Sequence, residues 1–217
     1  MSILNQKTIK EKISLKGIGL HTGKNVEINL LPSEPNSGII FKRTDLTRNN
    51  IIIPMFNNVV DTTLCTTLSN QHGVKVSTIE HLMGALYGLG IDNLLVEINS
   101  QELPILDGSA KIFVEKILSS GIKSSTTPIK LIKINKKVTY QEGEKKISLD
   151  KSKVASEIDF EINFQNQIIG KQRNKLNIFN DELESIFESR TFCLYEDVEK
   201  LKKAGLAKGG SLENAVV

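Results

Sequence analysis

The chain has 217 residues and a mass of 24.1 kDa, and its 39% hydrophobic and 24% charged residues describe a globular chain with a core, not a disordered one. The net charge of +3 is spread along the sequence, so no nucleic-acid partner is expected, and two cysteines, Cys65 and Cys193, cannot build a disulfide scaffold or a cysteine-rich zinc site. No signal-like apolar run opens the chain and no segment has the roughly 18 apolar residues of a membrane helix; a cytoplasmic protein, not integral to a membrane, is expected.

KTIKEKISLKG sets Ile9, Ile13 and Leu15 at even spacing, and NVEINLL does the same with Val26, Ile28 and Leu30, the period-two alternation of strands. SGIIFKR, NNIIIPM, TLCTTLS and GVKVS continue the β pattern. Then Ile79, Leu82, Met83 and Leu86 fall at i, i+3, i+4 and i+7, one apolar helical stripe. Ser77-Thr78-Ile79-Glu80 has the S-x-x-E form of a capping box at its start. Gly88 and Gly90 end that helix, IDNLLVEI returns to strand, and a second helix is expected over 109–120, stopped by Gly121. SSTTP, residues 124–128, reads as a linker. Strands resume in IKLIKI, KKVTY, KKISL and VASEIDFEINF, with helices expected at about 181–188 and 196–204. The expected fold is α+β: two domains, 1–126 and 127–217, each a sheet with helices packed on one face.

Among three histidines, His81 is the informative one. Its own face carries Gly84, Ala85 and Gly88, leaving room above the imidazole, and Glu80 stands about 100° around the helix. A carboxylate beside a metal-bound histidine suits a general base; equally, Glu80 suits the helix cap and His81 a structural role. There is no HExxH. GIGLHTGK departs from both the dinucleotide and Walker A patterns and reads as a glycine-rich turn between strands, with His21 at its tip. Asp107-Gly108 favours a turn before the second helix, and Cys193 reads as a small apolar filler.

Taken in order, GIGLHTGK, FKRTDL, DTTLCTTL, VSTIEHLMGALYGLGIDN, ELPILDGSA, RTF and GLAKGGS resemble the UDP-3-O-acyl-N-acetylglucosamine deacetylases, zinc amidases of lipid A synthesis, from about residue 6 to Val217. The resemblance implies two similar α+β domains with the active site between them, His81 as a zinc ligand, Glu80 as general base, and Thr191 as a holder of the oxyanion. It implies Phe164 against uracil and Lys145 near the nucleotide. The stretch 192–211, with Phe192, Val198 and Gly210, is implied to form a passage for the acyl chain, and Leu64 and Cys65 to line the substrate site. The implied partner is the UDP-sugar lipid, the implied cofactor Zn²⁺, and the protein is expected to act as a monomer. The family's other two zinc ligands lie in an H-K-x-x-D-x-x-G-D motif that these 217 residues do not contain. The second domain is therefore expected to be incomplete and this chain inactive alone, the alternative being a non-catalytic module that binds the UDP-sugar or acyl chain.

Overall fold

The computed structural model describes residues 4–152, 156–178 and 181–217. In chain order the elements are β1 (Asn5–Ile9), β2 (Ile13–Ile18), β3 (Asn25–Pro32), β4 (Ile39–Arg43), β5 (Ile51–Ile52), β6 (Val59–Asp61), β7 (Thr67–Ser69), β8 (Lys75–Ser77), α1 (Glu80–Leu89), β9 (Leu94–Ile98), α2 (Lys111–Ser120) and β10 (Ile122–Pro128). Then follow β11 (Val138–Glu142), β12 (Lys145–Leu149), β13 (Glu157–Asn163), β14 (Lys171–Asn177), α3 (Glu184–Phe187) and α4 (Tyr195–Lys203). The architecture is mixed α/β, with several sheets and few helices.

The central sheet has the order β2-β3-β9-β4-β5, with β4 parallel to β9 and its other neighbours antiparallel. Alternation places Val26, Ile28 and Leu30 of β3 and Leu94, Val96 and Ile98 of β9 in the interior. They join Leu82, Ala85 and Leu86 of α1 and Phe113, Val114 and Ile117 of α2 in one apolar cluster. Burying each of its Val, Leu, Ile and Phe side chains contributes about 1.5–3 kcal/mol, so this cluster fixes α1, and with it Glu80 and His81, to the sheet. A second sheet, β6-β7-β8, carries the segment before α1. Gly121 ends α2 with φ +79°, as its place after the helix anticipates.

Several expectations change. SSTTP is not a linker: it lies in β10, which pairs antiparallel with β1 through Ile9↔Ile122 and Lys7↔Ser124. Threonine suits a strand as well as a loop, and the closing proline is tolerated at a strand's end. IKLIKI forms no strand, and Leu131 and Ile132 are exposed. The strand expected from Val154 begins at Glu157 in the described part; Val154 and Ala155 lie outside the described residues. The late helices are shorter or shifted, at Glu184–Phe187 and Tyr195–Lys203.

The chain groups into two units, Met1–Ile129 with Glu184–Val217, and Lys130–Leu183. This differs from a boundary at 126/127, because main-chain hydrogen bonds stitch the tail to the first unit. Ala110 N donates to Phe187 O (3.0 Å), Thr191 N to Gly108 O (2.8 Å) and Gly209 N to Leu20 O (3.0 Å). The second unit consists, in its described residues, of the antiparallel ladders β11–β12 and β13–β14, with no helix.

Candidate functional site

Glu80 and His81 open α1. The capping box does not form: Ser77 Oγ donates to Gln101 O (3.2 Å), while Glu80 Oε2 accepts from Thr66 N (3.1 Å). Glu80 is exposed, so its carboxylate is tethered to Thr66, the residue before β7, and still faces solvent. His81 is partly buried, and burial holds its pKa below the ordinary histidine value against the opposing pull of Glu80 and Asp107. The ring is thus kept neutral near pH 7, the form that ligates a metal. Apart from chain neighbours and the helix's own backbone, no atom lies within 4 Å of a Cβ placed at Gly84, whereas Ala85, on the face expected to be open, is fully buried in the core.

A buried carboxylate that the sequence reading passed over holds this region together. Glu102 is 0% exposed. Its Oε1 accepts from His21 N (2.8 Å) and Thr78 Oγ1 (3.1 Å), and its Oε2 accepts from Thr22 N (2.8 Å) and Thr22 Oγ1 (2.6 Å). One side chain therefore joins the glycine-rich turn between β2 and β3 to the residue two before Glu80. Thr78 itself has φ +56°, a conformation costing about 1–3 kcal/mol in a non-glycine residue. Leu64 (φ 62°), Leu106 (φ 54°) and Ala207 (φ 51°) share it. The signal in the sequence was a lone glutamate leading the apolar run LPIL.

The tail forms an apolar cavity of about 330 Å³ whose walls include Leu64, Thr191, Phe192, Val198, Leu201 and Gly210. Thr191 is fixed on both sides, its N–H on Gly108 O (2.8 Å) and its carbonyl accepting from Val216 N (3.0 Å). Arg190, which had no assigned role, braces the wall: Nε donates to Asp107 O (2.7 Å) and Nη2 to Leu212 O (3.0 Å). Leu64 belongs to this cavity, and two residues later Thr66 binds Glu80, which ties the acidic group to the apolar wall. Cys193 lines the same cavity, in keeping with an apolar filler.

Eight of the ten expected site residues, Leu64, Cys65, Glu80, His81, Thr191, Phe192, Val198 and Gly210, thus lie in the first unit. Phe164 and Lys145 lie in the second: Phe164 follows β13, with its N–H on Gly170 O (2.9 Å), and Lys145 starts β12 opposite Glu142. As to a metal, His81 fits as one donor. Among the described residues no three His, Cys, Asp or Glu side chains converge where an ion could bind, so the donor set is partial.

No helix is long and apolar enough to cross a membrane among the described residues. The sequence model of the UDP-3-O-acyl N-acetylglycosamine deacetylase family matches residues 6–217. Proteins named UDP-3-O-acyl-N-acetylglucosamine deacetylase are similar to the chain at length. The one from Myxococcus xanthus is 45% identical over 217 residues, 100% of this chain and 68% of that protein. Those from Haemophilus ducreyi and Pasteurella multocida are 40% and 41% identical, each over 99% of this chain and 71% of the relative. With a carboxylate–histidine pair at a helix start, an apolar cavity tied to it and a family match over nearly its full length, the chain belongs to the UDP-3-O-acyl-N-acetylglucosamine deacetylase family.

Proposed function

We propose that this protein acts in hydrolysis of the N-acetyl amide of UDP-3-O-acyl-N-acetylglucosamine, a step of lipid A synthesis that releases acetate. The observation that supports it most is the hydrogen bond from Thr66 N to Glu80, two residues along the chain from Leu64 of the apolar cavity wall, which is consistent with a general base acting near a cavity suited to an acyl chain. Zinc, when bound, supplies a Lewis acid for the amide and an acidified water, with His81 as one of its ligands. Glu80 takes a proton from the attacking water and returns it to the departing amine. Thr191, immobilised between Gly108 and Val216, faces the oxyanion with a hydroxyl donor. Phe164 offers a ring for uracil to stack on, and Lys145 a charge for the nucleotide's phosphates.

The residues lining the apolar cavity all belong to the first unit, whereas a catalytic zinc takes about three protein ligands and His81 would supply one. We infer that these 217 residues alone hold an acyl chain, bind zinc weakly and turn over little. The test compares this chain with a chimaera carrying the part of the Myxococcus xanthus relative that the match leaves uncovered, both at one equivalent of zinc. The chimaera should release acetate and bind zinc stoichiometrically. In it, Glu80→Gln should keep the zinc and lose about 10²–10⁴ of the rate, the range for a lost general base. A glutamine chimaera with near-normal turnover removes Glu80 from the chemistry.

A further inference from the structure

Basic residues occur all along the chain, yet its two units balance them differently. Residues 130–183 hold 11 Lys and Arg against 8 Asp and Glu, and the rest of the chain holds 17 of each, so the whole net charge of +3 belongs to the second unit. Residues 130–151 concentrate it, with seven lysines against Glu142, Glu144 and Asp150. Of the seven, Lys137 alone forms an ion pair among the described residues, with Asp150 (3.2 Å) at the open end of the β11–β12 hairpin. The β13–β14 hairpin instead neutralises itself, pairing Lys171 with Glu161, Arg173 with Asp159 and Lys175 with Glu157 across its strands. Alternation puts Val138 and Tyr140 of β11 on one face with their cross-strand partners Leu149 and Ile147 of β12. All four are exposed, as are Leu131 and Ile132 ahead of the hairpin, Ile132 at 92%. Neither face of β11–β12 is buried, and a two-stranded hairpin with no packed face is marginal in water. It calls for a partner that takes apolar side chains and positive charge together.

We propose that residues 130–151 form a peripheral docking surface whose partner is an anionic phospholipid bilayer. Lys133 and Lys136 before β11, Lys146 past the turn and Lys151 after β12 meet the headgroup phosphates. Ile132, Tyr140 and Ile147 enter the boundary between headgroups and acyl chains, the depth at which tyrosine is favoured. Charge decides among the occupants. A second copy would bring the same lysines to a two-fold interface and be repelled. A nucleic acid would answer the lysines and leave the aliphatic side chains in water, and an apolar protein face would do the reverse. An anionic bilayer answers both. Each lysine near such a surface strengthens binding about fivefold, so the attachment is reversible and screened by salt. It does not depend on the hydrolytic reading of the site.

The probes are vesicles of phosphatidylcholine alone, or with about one-third phosphatidylglycerol to set an anionic surface. In sedimentation at low salt the native 217-residue chain should bind the anionic vesicles at least about tenfold more tightly than the neutral ones. The preference should vanish in about 1 M salt, where charges are screened within about 3 Å. Lys133→Gln together with Lys136→Gln should weaken binding about 30-fold, two lysines' worth. Phe160→Ser, an exposed apolar position of the other hairpin, should change it little. The chain has no tryptophan, so Ile132→Trp supplies a single reporter, whose emission should shift to the blue with anionic vesicles and stay put with neutral ones. Equal binding to both vesicles, indifference to the two lysines, an equal loss with Phe160→Ser or an unshifted emission would each overturn the proposal. Pelleting without vesicles would also overturn it, assigning the face to a second copy. So would loss of binding in the chimaera with the remainder of the Myxococcus xanthus relative, assigning the face to that part.

Discussion

Replacing Glu102 by glutamine tests whether a single buried carboxylate holds the site in shape. Volume is preserved, so the change acts through hydrogen bonds alone. The carboxylate serves two backbone donors, His21 N at Oε1 and Thr22 N at Oε2, both at 2.8 Å. Glutamine has one acceptor oxygen. If it lies at the Oε1 position, the amide NH₂ faces Thr22 N–H; if it lies at Oε2, the NH₂ faces His21 N–H. The threonine hydroxyls can turn and accept, but a backbone N–H cannot, so either orientation leaves one buried donor unsatisfied. That costs about 1–3 kcal/mol, and with each 1.4 kcal/mol worth a factor of ten, the opening equilibrium rises about 5- to 150-fold. Amide hydrogen exchange followed by NMR reads this at His21 and Thr22, with the amides of β3 and β9 as internal reference. Protection should fall by that factor in the turn while the reference amides change less. Unchanged exchange at both turn amides would refute the assignment of Glu102 as the clamp.

The remaining predictions address the tail, the cavity and the histidines. Gly108 has φ +84° and a Cβ there would meet the backbone carbonyl of Asn214, so Gly108→Ala should cost about 2–4 kcal/mol from strain and forced displacement, read as a lower urea midpoint and loss of protection at the Thr191 amide. Val198→Trp fills part of the apolar cavity and should weaken binding of a long-acyl probe at least about tenfold, or 1.4 kcal/mol, while a short-acyl probe is little affected; equal losses would make Val198 a packing residue only. In the metal-free chain, NMR should find His81 titrating below the ordinary histidine value, through burial, and His21 above it, chiefly through Cys65. The signs oppose: His81 takes stability away as pH falls below that ordinary value, whereas the contribution of His21 is full below it and is lost as pH rises through its raised pKa.

What could be read from the sequence was whatever a short window determines. Val26, Ile28 and Leu30 alternate because one face of β3 is buried, and the stripe Ile79, Leu82, Met83 and Leu86 announces α1 for the same reason. Gly121 announces the end of α2, because its φ +79° is a local demand. Where the outcome depended on a distant partner, the local reading failed. Ser77 and Glu80 match a capping box, yet Gln101 O, 24 residues away, takes the serine, and Thr66 N, 14 residues back, takes the glutamate. SSTTP has the composition of a linker, and only β1, more than a hundred residues earlier, makes it a strand. The site divides along the same line. His81 and Glu80 could be proposed from residue type and spacing, and Thr191 from the family resemblance, because those signals lie in short stretches of sequence. Glu102 and Arg190 could not, because their roles consist of reaching across 80 residues or more to hold a turn, as Glu102 does at His21 and Arg190 at Asp107. A clamp leaves a faint trace all the same. A charged residue that costs several kcal/mol to bury unpaired is unexpected at the head of an apolar run, so Glu102 before LPIL should itself prompt a search for buried donors, and here four converge on it.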